Sequence, residues 1–188
     1  MEERQIFLTD SGQGTDLVGD LTARGRILGD WRRQYERMRR SYQRLLGYAE
    51  GRTPSEDAAE AEDALLHFFQ DAYHLKDWIR QNEPGHSKSV ESQFKKPAGP
   101  LPMLLCADLC NGSKHFVLTM SARLGGEFVS HSVTVRPPTA GSSLPPEPAL
   151  HRWTVRWSDG ECDALELAAE CVAAWNKWLG ERSLDPSA

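Results

Sequence analysis

The stretch Asp63-Ala-Leu-Leu-His67-Phe-Phe-Gln-Asp71-Ala-Tyr-His74-Leu-Lys-Asp77-Trp78 decides the fold class. Its apolar residues Leu65, Phe68, Phe69, Ala72 and Leu75, continued by Ile79, step by three and four, which is the period of a helix with one buried face. Upstream, Thr53-Pro54-Ser55-Glu56 reads as the helix start. Thr53 would cap, Pro54 suits the first turn and Glu56 completes a capping box. Asn82-Glu-Pro-Gly85 ends the helix after about Gln81. The other face carries Asp63, His67, Asp71, His74 and Asp77 in a continuous polar stripe.

Working outward, Trp31, Tyr35, Met38, Tyr42, Leu45 and Ala49 repeat the helical period and predict a helix from about Ile27 to Glu50, ended by Gly51-Arg52. Leu101 to about Phe116 reads as a third helix, with one extra turn at Val90 to Phe94. The period then changes to two. Val117–Arg123 and Glu127–Val135 flank Gly125-Gly126 as a hairpin, and His151–Trp157 alternates Trp153, Val155 and Trp157 with Arg152, Thr154 and Arg156. Ser158-Asp159-Gly160 turns the chain out of that strand, and Cys162 to Leu179 reads as the closing helix.

The expected fold class is therefore α+β and mainly α: a three-helix N-terminal bundle, a small antiparallel sheet of about three strands and a C-terminal helix. Residues 1–25 read as a loose leader and 26–180 as a single globular domain. Its helical part is 26–116 and its sheet with C-terminal helix 117–180; residues 181–188 form a tail. Pro137–Pro148 is a Pro/Gly/Ser loop.

Composition narrows the class. The 188 residues can bury a real core, and 39% hydrophobic with 26% charged is ordinary for a globular protein. No apolar run reaches the length of a membrane span, and Met1-Glu-Glu-Arg-Gln lacks the basic head and apolar core of a signal peptide. The expectation is a cytoplasmic protein with no membrane partner. Cys106, Cys110, Cys162 and Cys171 form no CxxC pair and fall in helical patterns, the usual setting of small buried hydrophobes.

The net charge of −5 hides an asymmetry. From Arg24 to Arg52 nine arginines meet only Asp30, Glu36 and Glu50; from Thr53 to Leu75 there are six acids and no Lys or Arg. Arg32, Arg33, Arg37, Arg40 and Arg44 fall off the apolar stripe of the first helix. They are candidates for phosphate contact, or for pairing with the acidic second helix.

A second polar run, Asp108-Leu-Cys-Asn111-Gly-Ser-Lys114-His115, has the same helical spacing. If the two helices pack together, His74 and Asp77 could face Asp108, Asn111, Lys114 and His115. An imidazole beside a carboxylate suits acid–base chemistry near neutral pH, and Lys and Asn suit a developing anion. These six residues are the candidate catalytic set. The alternative is a solvated face or a structural His–Asp clamp. No phosphate loop, dinucleotide fingerprint or nucleophile elbow is present.

Tyr73-His74-Leu75-Lys76-Asp77-Trp78 and Asp108-x-x-Asn111-Gly-Ser-Lys114-His115, with the closing Trp175-Asn-Lys-Trp178-Leu179, resemble motifs of uncharacterised bacterial proteins over residues 55–180. A looser resemblance is to HEPN domains, helical proteins whose RNase members share an Arg-x(4–6)-His motif, here Arg80-x(5)-His86. That resemblance implies a helical protein of a bacterial toxin or defence system acting on RNA, a ribonuclease-like hydrolase if an enzyme, with no cofactor. Two alternatives stand beside it. One is a non-enzymatic module binding a protein partner, with homodimerisation open. The other is a metal-dependent bundle enzyme using His67, Asp71, His74, Asp108 and His115, although Asp71-Ala-Tyr-His74 is the sole acid-x-x-His pair among these five.

Overall fold

A computed structural model describes residues 30–53, 57–114, 123–134 and 149–187. In order they form α1 (Trp31–Ala49), α2 (Ala58–Asn82), a 3-10 turn (Pro84–His86), α3 (Ser87–Ser92), α4 (Leu101–Lys114), β1 (Glu127–Thr134), β2 (Leu150–Trp157), β3 (Gly160–Asp163) and α5 (Ala164–Gly180). The fold is α+β and mainly α, with one antiparallel sheet in the order β1-β2-β3.

Local chemistry sets the helix starts. Asp30 caps α1 by accepting from the Arg32 amide at 2.9 Å, and Asp163 caps α5 by accepting from Leu165 at 2.7 Å. The cap of α2 is Asp57, which accepts from Ala59 at 2.8 Å, and not the expected Thr53. A cap must sit one residue before the first helical turn, and the helix begins at Ala58, so Thr53 lies too far upstream. Pro54, Ser55 and Glu56 lie outside the described residues, as do the leader 1–25 and the expected first turn at Ile27.

The buried stripes match the helical period. Trp31, Tyr35, Met38 and Leu45 of α1 meet Leu65, Phe68, Phe69, Leu75 and Ile79 of α2. Met103, Leu105, Cys106 and Leu109 of α4 join them, with Leu167, Cys171, Trp175 and Trp178 of α5. At one end of this layer α1 and α2 are tied together, the Trp31 amide donating to Asn82 at 2.7 Å and its indole to Glu83 at 3.2 Å. Inside the core the Trp175 indole donates to the Ala72 carbonyl at 3.0 Å, which satisfies its one polar atom. Cys106, Cys110 and Cys171 are buried.

Two details differ from the sequence reading. The turn expected at Val90–Phe94 is instead the 3-10 turn and α3, ending at Ser92. Cys162 lies in β3, paired with Val155, because Ser158–Gly160 reverses the chain into a third strand before α5 begins. The hairpin expected around Gly125-Gly126 has its first strand outside the described residues, and what is seen is the pairing of β1. That strand pairs with β2, from Glu127 opposite Arg156 to Thr134 opposite Leu150. Residues 117–122 and the Pro137–Pro148 loop lie outside the described residues. Beyond α5 the chain folds back: Leu184 donates to the Leu179 carbonyl at 3.1 Å, and Arg182 donates to Ser89 at 2.7 Å while lying 4.3 Å over the Trp178 ring.

Phe68 is fully buried between Tyr42 and Phe69, at ring distances of 5.7 and 5.1 Å. Phe68→Ala will therefore lower the unfolding free energy by about 3–5 kcal/mol. Leu101→Ala, on a side chain 43% exposed, will change it by about 0.5 kcal/mol or less. Urea denaturation followed by circular dichroism measures both.

Candidate functional site

The polar residues singled out in the sequence separate into three places. Asp108 is 1% exposed, at the centre of a knot rather than at a pocket or partner surface. Its carboxylate accepts from the consecutive amides of Arg123, Leu124, Gly125 and Gly126 at 2.9, 2.7, 3.1 and 3.4 Å, and from the Arg123 guanidinium at 3.4 Å. Two glycines make this wrapping possible. Gly125 has φ +73°, and a Cβ on Gly126 would come within 2.8 Å of Leu105. Arg123 also donates to the Phe94 carbonyl and, at 3.4 Å, to the Tyr73 hydroxyl. The carboxylate that was expected to face His74 is fully engaged in holding the segment that leads into β1.

The second place is the outer edge of α2. Lys76 is buried along its stem, lies 4.5 Å from the Tyr73 ring and reaches Asp77 at 2.8 Å. Asp77 also meets Arg80 at 3.4 Å, and Arg80 meets Glu91 of α3 at 2.9 Å. Tyr73 thus sits between Lys76 and Arg123, with the Arg123 guanidinium 5.8 Å from its ring. His74 is half-buried with its ring 6.2 Å from that of Tyr73, and Asn111 is half-buried on α4. His115 and the side chain of Lys114 lie outside the described residues. The catalytic set is not drawn into one cleft among the described residues: Asp108 is held under the Arg123 loop and Asp77 in a surface ion-pair cluster. Nor do any three His, Cys, Asp or Glu side chains among them converge as a metal site requires.

The third place is the α1–α2 seam and the face of α1 beside it. Gln34, Ser41 and Tyr48, seven residues apart, form the edge of α1 against α2. Gln34 donates to the Asp71 backbone carbonyl at 3.0 Å, and Ser41 donates to the Asp71 carboxylate at 2.6 Å. Burial, reinforced by Glu60 and its side-chain hydrogen bond, pushes the Tyr48 phenol above its ordinary value. Asp71 is therefore an interhelical clamp. His67 stays exposed, lining an open cleft of about 440 Å³ with Arg44, Tyr48, Thr53, Glu60 and Asp63.

One strip outward, Arg33, Arg37, Arg40 and Arg44 are all exposed, and their 4-3-4 spacing aligns them on a single face. From first to last the ridge runs about 16 Å along the helix axis. Among the described residues these arginines make no ion pair with the acids of α2, although Arg44 shares the cleft with Glu60 and Asp63. Arg37 instead stacks over Trp78 at 5.9 Å. Arg32, the fifth arginine of the expected set, turns away, donating to the Asp185 carbonyl at 2.9 Å and lying 4.7 Å over Trp31. No family model, curated protein or solved structure matches this chain.

Asp108→Ala will orphan the row of amides and the Arg123 charge, and will destabilise the fold by about 3–5 kcal/mol. Glu161→Ala removes only the exposed ion pair with Arg156, at 3.3 Å, and will cost about 1 kcal/mol or less. Thermal unfolding of the two variants side by side measures the difference.

Proposed function

We propose that the protein binds RNA, and that Arg33, Arg37, Arg40 and Arg44 are its phosphate contacts. The observation that carries this reading is the exposed arginine ridge on one face of α1, which forms no ion pair among the described residues. In a chain of net charge −5, four guanidinium groups in register form a concentrated positive strip. Guanidinium forks suit phosphate oxygens, and a strip about 16 Å long spans several successive phosphates. Arg37, exposed and lying 5.9 Å over the half-buried Trp78, presents a guanidinium plane on which an unstacked base can lie, which suits a single strand better than a duplex.

The HEPN-like reading, an RNA-acting helical protein of a toxin or defence system, agrees with this surface and with the mainly helical fold. Hydrolysis by His74, Asp77, Asn111, Lys114 and His115 is its further step, and it requires chemistry without the Asp108 carboxylate. A second reading, in which the stripes are a structural network and a helix face binds a protein partner, draws on Asp71 and Asp108, both engaged in holding the chain together.

A ridge of four phosphate contacts gives a definite salt dependence. The logarithm of the affinity for an oligouridine will fall with the logarithm of salt concentration at a slope of about −2 to −3, the single-strand value for that number of contacts. Arg37→Ala will flatten the slope by about 0.7 and weaken binding across all sequences alike. Fluorescence anisotropy over a salt series measures both, and a slope near zero removes the ridge from the contact surface.

A further inference from the structure

On the side of α1 away from α2, the C-terminal tail closes a second cleft, of about 510 Å³, lined by Tyr35, Glu36, Arg39, Arg40, Gln43, Pro186 and Ser187. We propose that this cleft binds a phosphate monoester, either the terminal phosphate of an RNA strand or a free mononucleotide.

The cleft is built from both of its sides. The tail is fixed against α1 by the Arg32 bond to the Asp185 carbonyl at 2.9 Å. Ser187 folds back onto Asp185, its amide donating at 2.8 Å and its hydroxyl at 2.6 Å. On the α1 side, Tyr35 donates its hydroxyl to Asn176 of α5 at 2.8 Å. Its oxygen is then left to accept from Arg39, at a long 3.5 Å. That weak contact leaves most of the Arg39 donors uncommitted, and among the described residues neither Arg39 nor Arg40 forms an ion pair.

Two guanidinium groups and the Gln43 amide thus border one concavity that Glu36 lines with its carboxylate, while the Ser187 hydroxyl at its rim is turned to Asp185. The balance of charge suits one phosphate and disfavours a polyphosphate. The volume is within the range of small-molecule sites and exceeds what an inorganic anion needs. Guanidinium pairs bind phosphate through parallel charge-assisted hydrogen bonds.

Position supplies the link to function. Arg40 belongs both to the ridge and to this cleft, so a strand lying along the ridge can place its terminal phosphate between Arg39 and Arg40. The strand-terminal form of the proposal rests on the RNA reading above; the mononucleotide form does not.

The test compares one oligouridine in 5′-phosphorylated and 5′-hydroxyl forms, with adenosine monophosphate as a separate arm. The phosphorylated strand will bind about tenfold more tightly, the scale of an added charge-assisted contact. The double variant Arg39→Ala, Gln43→Ala alters two exposed side chains and will abolish that preference while leaving the affinity of the 5′-hydroxyl strand unchanged. Arg33→Ala with Arg44→Ala will weaken both strands and preserve their ratio. Equal binding of the two strands by the unaltered protein, or a preference that survives Arg39→Ala, Gln43→Ala, overturns the strand-terminal form. If neither strand binds, the ridge reading fails; adenosine monophosphate that still shifts the NMR signals of Arg39 and Ser187 upholds the cleft. Adenosine monophosphate that leaves those signals unmoved overturns it.

Discussion

How α1 is rolled against α2 determines which of its residues reach water, and the rest of the surface follows from that. Two forces fix the roll. Trp31, Tyr35, Met38 and Leu45 bury their apolar area against Phe68, Leu75 and Ile79. Gln34 and Ser41 meet Asp71 along the seam. Rotation of α1 by one residue, about 100°, would strand the buried Gln34 and press arginines into the core. The native roll leaves Arg33, Arg37, Arg40 and Arg44 in water in a single row. The arginine ridge is thus a consequence of core packing.

Buried carboxylates in this molecule serve architecture. Asp108 sits in an apolar layer, yet its oxygens are surrounded by a row of backbone amides and a guanidinium, so the cost of removing it from water is offset. Through Arg123 the same knot reaches Tyr73 and Phe94, tying α2, the chain after α3, α4 and the entry to β1 to one point. The Tyr73–Trp78 motif has a similar explanation. Tyr73 and Lys76 belong to the knot and its border, Leu75 to the core, and Trp78 to the seam beneath Arg37.

The helices and the alternating strand at Trp153–Trp157 were legible because burial writes a local period into the sequence. The roles of Asp71 and Asp108 were not. The partners of Asp108 lie 15 to 18 residues further along the chain, and those of Asp71 lie 30 and 37 residues earlier. No periodicity reports such contacts, and an acid at helical spacing looks the same whether it faces water or a row of amides. Gly125-Gly126 is a related case: a positive φ and a close approach suit many turns, and only the position of Leu105 and Asp108 shows the amide cradle. The arginines were visible from the start. What sequence could not show was that they form no ion pair with the acids of α2, which depends on the roll of one helix against the other, nor the cleft that the tail makes with α1.

The most direct test of this account is an NMR titration of the arginine, histidine and asparagine side-chain signals with a short oligouridine at low salt. The account predicts shifts at Arg33, Arg37, Arg40 and Arg44, with Arg123 and Arg182 unmoved in their internal contacts. Shifts that instead centre on His74 and Asn111, or an absence of shifts along the ridge, would contradict it.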